Sequence, residues 1–211
     1  NADVQFIQFN AAMGDWESGE RGIGIDPKKK GKFQDAIGEA LEFSRILGNP
    51  QLHIMSGVVN DDNDSEMARL VLVENLKFAA KACAAEGVKA QIEPINTIDM
   101  PGYFLCKPEL GLEIIKDVAH SNLYLQYDIY HAQMTEGHLA ENIREHVDII
   151  NHIQIAGVPG RNEPNVGEIN YPFLFDVIDD VGYGGWVSCE YKPISGTLDG
   201  LGWAARYGIG G

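Results

Sequence analysis

Six short apolar runs alternate with longer amphipathic segments, and this alternation restricts the fold more than any other feature of the chain. The runs are VQFIQFN, QLHIMSG, VKAQIEPI, LYLQYD, INHIQIA and GWVSCEY. Helical patterns begin near Phe33, Ser65, Pro108, Leu139, Tyr171 and Leu198. SEMARLVLVENLKFAAKACAAEG has the clearest three-and-four spacing, with Gly87 as its stop. Strand then helix, repeated, predicts parallel strands with helices packed outside them. With 211 residues and 45% hydrophobic content there is apolar mass for one substantial core, so a single domain over 1–211 is expected.

The strand ends carry an anomaly. In KAQIEPIN the carboxylate of Glu93 interrupts an apolar run, and in VSCEYKP Glu190 does the same, each with a proline just beyond. An ionised carboxylate in such a run is costly unless a cation meets it. Asp128 ends LYLQYD, and Gln154 lies near the end of INHIQIA. From Glu93 to Asp128, then to Gln154, then to Glu190, the intervals are 35, 26 and 36 residues, each the length of one βα unit. In a closed (β/α)8 barrel such ends face one pocket, whereas an open doubly wound sheet spreads them along an edge. No Gly-x-Gly-x-x-Gly turn follows the first run, which lowers the dinucleotide-binding alternative. The expected fold is therefore an α/β TIM barrel. A complete one takes about 250 residues and eight units, so six units predict a barrel truncated by two units at its N-terminus.

Three acids in one pocket repel one another unless a divalent cation offsets their charge. Carboxylates and an amide oxygen are hard donors, which selects Mg2+ or Mn2+ over zinc. For each residue taken singly, the alternative is an ion pair with a neighbouring Lys or Arg. His131, three residues after Asp128, is placed either to hydrogen-bond a bound hydroxyl or carbonyl oxygen or to anchor its loop. Arg161, in the loop VPGRNEP, suits a bidentate grip on a substrate carboxylate, or stands as a solvent-facing loop charge. Lys192 in CEYKP lies beside Glu190. His152 shares strand parity with Gln154 and reads as a satisfied core polar group one layer deeper.

A formal net charge of −15 argues against a nucleic-acid partner, because such binding depends on cations neutralising phosphates. No run of eighteen apolar residues occurs and NADVQFIQFN lacks the pattern of a signal peptide, so a cytoplasmic protein with no membrane partner is expected. Three cysteines, Cys83, Cys106 and Cys189, have no metal or redox spacing and are read as reduced, mostly buried thiols. The acidic cluster Asn60 to Ser65 lacks the glycine and later glutamate of a calcium loop; a solvated loop is expected, with Asp64 or Ser65 capping the next helix. An uncovered edge at VQFIQFN would invite association, which makes a homo-oligomer one expected outcome.

GDWESGERGIG, IEPIN, LQYDIYHAQ, GEINY and CEYKP, in this order, resemble the hydroxypyruvate isomerase family of the xylose-isomerase-like TIM barrels, with similarity from about Val4 to about Arg206. The resemblance implies a divalent metal held by Glu93, Asp128, Gln154 and Glu190, with the two glutamates also serving as the catalytic acid/base pair. It implies interconversion of hydroxypyruvate and tartronate semialdehyde through an enediolate, an aldose-ketose type isomerisation, with Arg161 and Lys192 holding the substrate carboxylate. A ketose 3-epimerase or other sugar isomerase would use the same metal and glutamates, so the expected partner is a small hydroxy-keto acid or sugar. A barrel fragment that binds metal without turnover is the non-enzymatic alternative. An abasic-site endonuclease would want several His ligands and a basic groove, and Gln154 and the net charge stand against it. The resemblance further implies two βα units ahead of the first motif, and the C-terminal RYGIGG departs from the family pattern.

Overall fold

The computed structural model describes residues 4–59 and 65–208, so the acidic stretch Asn60 to Asp64, with the cap expected at Asp64, lies outside the described residues. The chain groups into two compact units, Asn1–Gln126 and Tyr127–Gly211.

In the first unit the order is β1 (Gln8–Ala11), α1 (Lys30–Leu47), β2 (Gln51–Ile54), α2 (Ser65–Ala85), β3 (Lys89–Ile92), α3 (Pro108–Val118) and the start of β4 (Leu123–Asp128). All pairings are parallel, with Gln8 opposite Gln51, Gln51 opposite Lys89, and Ile92 opposite Leu125. Side chains alternate between faces along each strand, and composition follows that period closely. Ala11, Leu52, Ile54, Ala90, Ile92, Leu123 and Leu125 form a core with Phe33 and Ile37 of α1, Leu72 and Leu76 of α2, and Ile114 of α3. The opposite parity carries Gln8, Asn10, Gln51, His53, Gln91 and Gln126. Gln51, His53, Gln91 and Gln126 are buried, and buried polar groups persist where they are hydrogen-bonded: the Gln91 amide donates to Gln126 Oε1 at 2.8 Å and also to the half-buried Gln8, while the exposed Asn10 places Oδ1 2.9 Å from His53 Nδ1.

The run VQFIQFN is strand only from Gln8, and Val4 is exposed. Gln8 pairs with the first residue of β2, which directly follows Pro50, so the residues ahead of Gln8 have no further β2 residues to join.

In the second unit come α4 (Ile129–Thr135), α5 (Leu139–His146), β5 (Ile150–Ile155), α6 (Tyr171–Asp180) and β6 (Trp186–Cys189). β5 and β6 are parallel, with His152 opposite Trp186 and Gln154 opposite Ser188. The Tyr171 hydroxyl donates to the Ala156 carbonyl at 2.7 Å and accepts from the Ala156 N–H at 3.0 Å, fastening the start of α6 just beyond the end of β5. The helix expected near Leu198 is a 3-10 helix, Asp199–Tyr207. Gly200 and Gly202 lower its α-helical preference, and Trp203 stacks edge-on to Tyr191 and Tyr207 and donates its indole N–H to the Tyr191 hydroxyl.

The cysteines are free, but only Cys83 is buried; Cys106 is half-buried and Cys189 exposed. Cys189 lies on β6, where Trp186 and Val187 are also exposed, so an apolar run did not mean a covered strand here. Among the described residues no helix is long and apolar enough to cross a membrane.

Candidate functional site

Asp128 is the last residue of β4 and is buried. One oxygen, Oδ1, accepts from the N–H groups of Tyr130 and His131 at 2.8 and 3.4 Å, capping α4. This cap explains why a helix begins where the sequence suggested only a loop around His131: an aspartate before a run with no breaker satisfies the first orphan amides. The other oxygen, Oδ2, lies 3.4 Å from Arg161 Nη2 and 3.7 Å from His131 Nε2. Burial pushes the Asp128 carboxyl well above the usual carboxylate range, the Arg161 charge pulls it back, and the neighbouring charge of Glu190 pushes it up again.

Gln154, in β5, donates its amide to Glu190 Oε2 at 2.7 Å. Glu190 follows β6 directly, and its side chain is 51% exposed against 1% for Asp128. Arg161 draws these acids together: Nη2 is 3.1 Å from Glu190 Oε2, Nε donates to the Glu190 carbonyl at 3.1 Å, and the guanidinium lies 5.1 Å above the Tyr130 ring. It is therefore a buried-side cation of this cluster rather than a solvent-facing loop charge, with its side chain 17% exposed. Its backbone is left-handed, at φ +56°.

The loop that presents Arg161 is closed by its own backbone, with Gly157 N–H donating to the Asn162 carbonyl at 2.8 Å and Glu168 N–H to the Val158 carbonyl at 2.7 Å. Gly167, at φ +108°, is required there, because a Cβ would collide with the Val158 carbonyl oxygen. Gly167→Ala is expected to destabilise by about 3 kcal/mol or more, since backbone strain and a clash with backbone add. Gly182→Ala, at φ +70° with open space around it, should cost only about 1–2 kcal/mol. Urea unfolding midpoints of the two variants check the ordering; equal midpoints would refute it.

Lys192 joins the cluster through its backbone, its N–H donating to the Arg161 carbonyl at 2.6 Å, while the residue itself is exposed. Among the described residues its side chain makes no ion pair. His131 is buried and packs edge-on to Tyr130. His152 Nε2 lies 2.7 Å from the Ser188 hydroxyl, one step below the Gln154 and Glu190 pair, and burial lowers its pKa to about 4, so it is a neutral core group.

In the first unit Glu93 follows β3 directly and is buried, with Oε2 3.6 Å from His53 Nδ1. His53 was not singled out from the sequence, although it interrupts the apolar run QLHIMSG just as Glu93 interrupts its own. Glu163, whose carboxylate accepts the Ile194 N–H at 3.0 Å, was also missed, and no local pattern could have flagged a contact across that distance in sequence. The carboxylate oxygens of Asp128 and Glu190 and the amide of Gln154 are the donor types a hard divalent cation takes, and a buried acid whose ionisation is opposed by burial gains from one.

The xylose isomerase-like TIM barrel family matches residues 9–207. A 2-oxo-tetronate isomerase of Cupriavidus necator is 51% identical over 199 residues, covering 94% of this chain and 76% of that protein. The hydroxypyruvate isomerase of Escherichia coli K12 is 43% identical, covering 97% of this chain and 79% of that protein. A crystal structure of AP endonuclease, family 2 from Brucella melitensis superposes with a TM-score of 0.94 at 39% identity, covering 97% of this chain and 79% of that one. This is a TIM-barrel-type chain, and its relatives make it an isomerase. It belongs to the xylose isomerase-like TIM barrel family.

Proposed function

We propose that this isomerase acts on a short 2-oxo acid, interconverting hydroxypyruvate and tartronate semialdehyde. The observation that carries the reading is that relatives 51% and 43% identical over nearly the whole chain are named for 2-oxo-tetronate and hydroxypyruvate, both short acids with a carbonyl beside a carboxylate. Glu93, Asp128, Gln154 and Glu190 would hold Mg2+ or Mn2+. What supports adding Glu93 to the residues of the second unit is its motif, IEPIN at the end of β3. When bound, the cation supplies Lewis-acid polarisation of the substrate carbonyl.

The chain's own residues do the rest. One of Glu93 and Glu190 would take a proton from the hydroxyl-bearing carbon, giving an enediolate, and the other would deliver a proton to the neighbouring carbon as the hydroxyl proton passes from the first oxygen to the second. Burial of Glu93 beside His53 and exposure of Glu190 give the two carboxyls different surroundings, as paired acid and base roles require. Arg161 and Lys192 meet the substrate carboxylate, the guanidinium through its fork, and His131 hydrogen-bonds a substrate oxygen.

A ketose 3-epimerase would place the same glutamates on a neutral sugar. An abasic-site nuclease must meet phosphates with cations, and a net charge of −15 with Gln154 among the proposed ligands disfavours it. Turnover by the purified, Mn2+-supplied protein on hydroxypyruvate, tartronate semialdehyde, 2-oxo-tetronate and a ketose panel tests the reading. The expected outcome is a kcat/KM at least about a hundredfold higher for the acids, the loss expected when a charged group meets no partner. Preference for a ketose, or no turnover of any, would sink it.

A further inference from the structure

The guanidinium of Arg161 contacts one oxygen of each of two acids, Asp128 Oδ2 and Glu190 Oε2. For Asp128 that oxygen is the available one, because Oδ1 is committed to the first amides of α4. A cation ligated by Asp128 therefore needs the oxygen on which Arg161 sits. At Glu190, Oε2 is the oxygen that converges with Asp128 Oδ2 on Arg161 Nη2, and it has a second claimant because it also accepts from the Gln154 amide. We propose that Arg161 and a divalent cation compete for the same two carboxylate oxygens, so that metal binding expels the guanidinium and Arg161 sets the metal affinity of the site. This rests on the metal reading given above.

Competition has a sign opposite to ordinary mutational damage: removing the arginine tightens metal binding. Arg161→Asn is the suitable variant, because asparagine tolerates the left-handed backbone of φ +56°. Arg161→Lys keeps the charge without the fork that reaches both acids. Lys192→Met removes an equal charge two residues from Glu190 without removing a contact to either carboxylate, and so measures the through-space effect alone.

Isothermal titration of chelator-treated protein with MnCl2, in the absence of substrate, reads the outcome. Hydrogen bonds to charged groups are each worth about 1.5–3 kcal/mol, so Arg161→Asn is expected to bind Mn2+ about tenfold tighter or more. Arg161→Lys should fall between it and wild type, and Lys192→Met should stay within about threefold of wild type, an exposed charge being screened. Thermal melts supply a second readout that also reports folding: Arg161→Asn should lower the melting temperature of the stripped protein more than that of the Mn2+-saturated protein. Wild type that binds Mn2+ while Arg161→Asn binds it equally or more weakly overturns the competition and leaves the metal reading standing. Equal tightening in Lys192→Met also overturns it, reducing the effect to net charge. No Mn2+ binding by wild type or Arg161→Asn would sink the metal reading and the competition together.

Discussion

Glu93→Gln and Glu190→Gln are each expected to reduce turnover of hydroxypyruvate by about a hundredfold or more, since general acid/base roles alone are worth about 10²–10⁴-fold. Each glutamine keeps the shape and one acceptor oxygen while removing the group that can exchange a proton. Glu93 is buried, yet the isosteric amide can still meet His53, and Glu190 is half exposed, so both variants should fold. Circular dichroism and unfolding midpoints near wild type would separate lost chemistry from lost structure. Retention by either variant of more than about a tenth of the wild-type rate, outside the range for a lost proton-transfer group, would remove that glutamate from the catalytic pair.

Stripping with a chelator should abolish turnover, and Mg2+ or Mn2+ added singly should restore it, whereas zinc should not. Three carboxylates and one amide are oxygen donors, and two substrate oxygens would complete the six-coordinate shell these ions prefer. Gln154→His exchanges one oxygen for an imidazole nitrogen and should shift relative affinity toward Zn2+ or Co2+. The loss of the amide also frees Glu190 Oε2 from a 2.7 Å hydrogen bond, which helps a cation compete for that oxygen whatever its identity. The informative quantity is therefore the ratio of zinc to manganese affinity, compared between wild type and variant. Recovery of stripped wild type with zinc alone, or activity that survives stripping, would end the case for an oxygen-ligand site.

The barrel is legible in the sequence because short apolar runs alternate with helical patterns and because polar residues recur at the run ends at intervals of one βα unit. Asp128, Gln154 and Glu190 stood out because a polar residue at the end of an apolar run needs a physical reason. His53 carries the same signal in mid-run, where attention to strand ends does not reach it. Helix α4 is not evident from the sequence because the residue that starts it, Asp128, also has the pattern of a ligand, and its two oxygens meet different partners. The seating of Arg161 depends on contacts with Glu190, about thirty residues further on, which local patterns do not encode.

The loop after β5 and the segment after β6 are stitched together by Lys192 N–H to the Arg161 carbonyl, Asn162 Nδ2 to the Lys192 carbonyl and Ile194 N–H to Glu163. Such lacing bears on time as well as position. The two segments cannot part without breaking several hydrogen bonds at once, which places such an opening in the microsecond-to-millisecond range rather than among fast loop fluctuations. If Asp128 and Glu190 hold a cation as proposed, ions and substrate would reach them past a frame that stays fixed on the timescale of side-chain rotation.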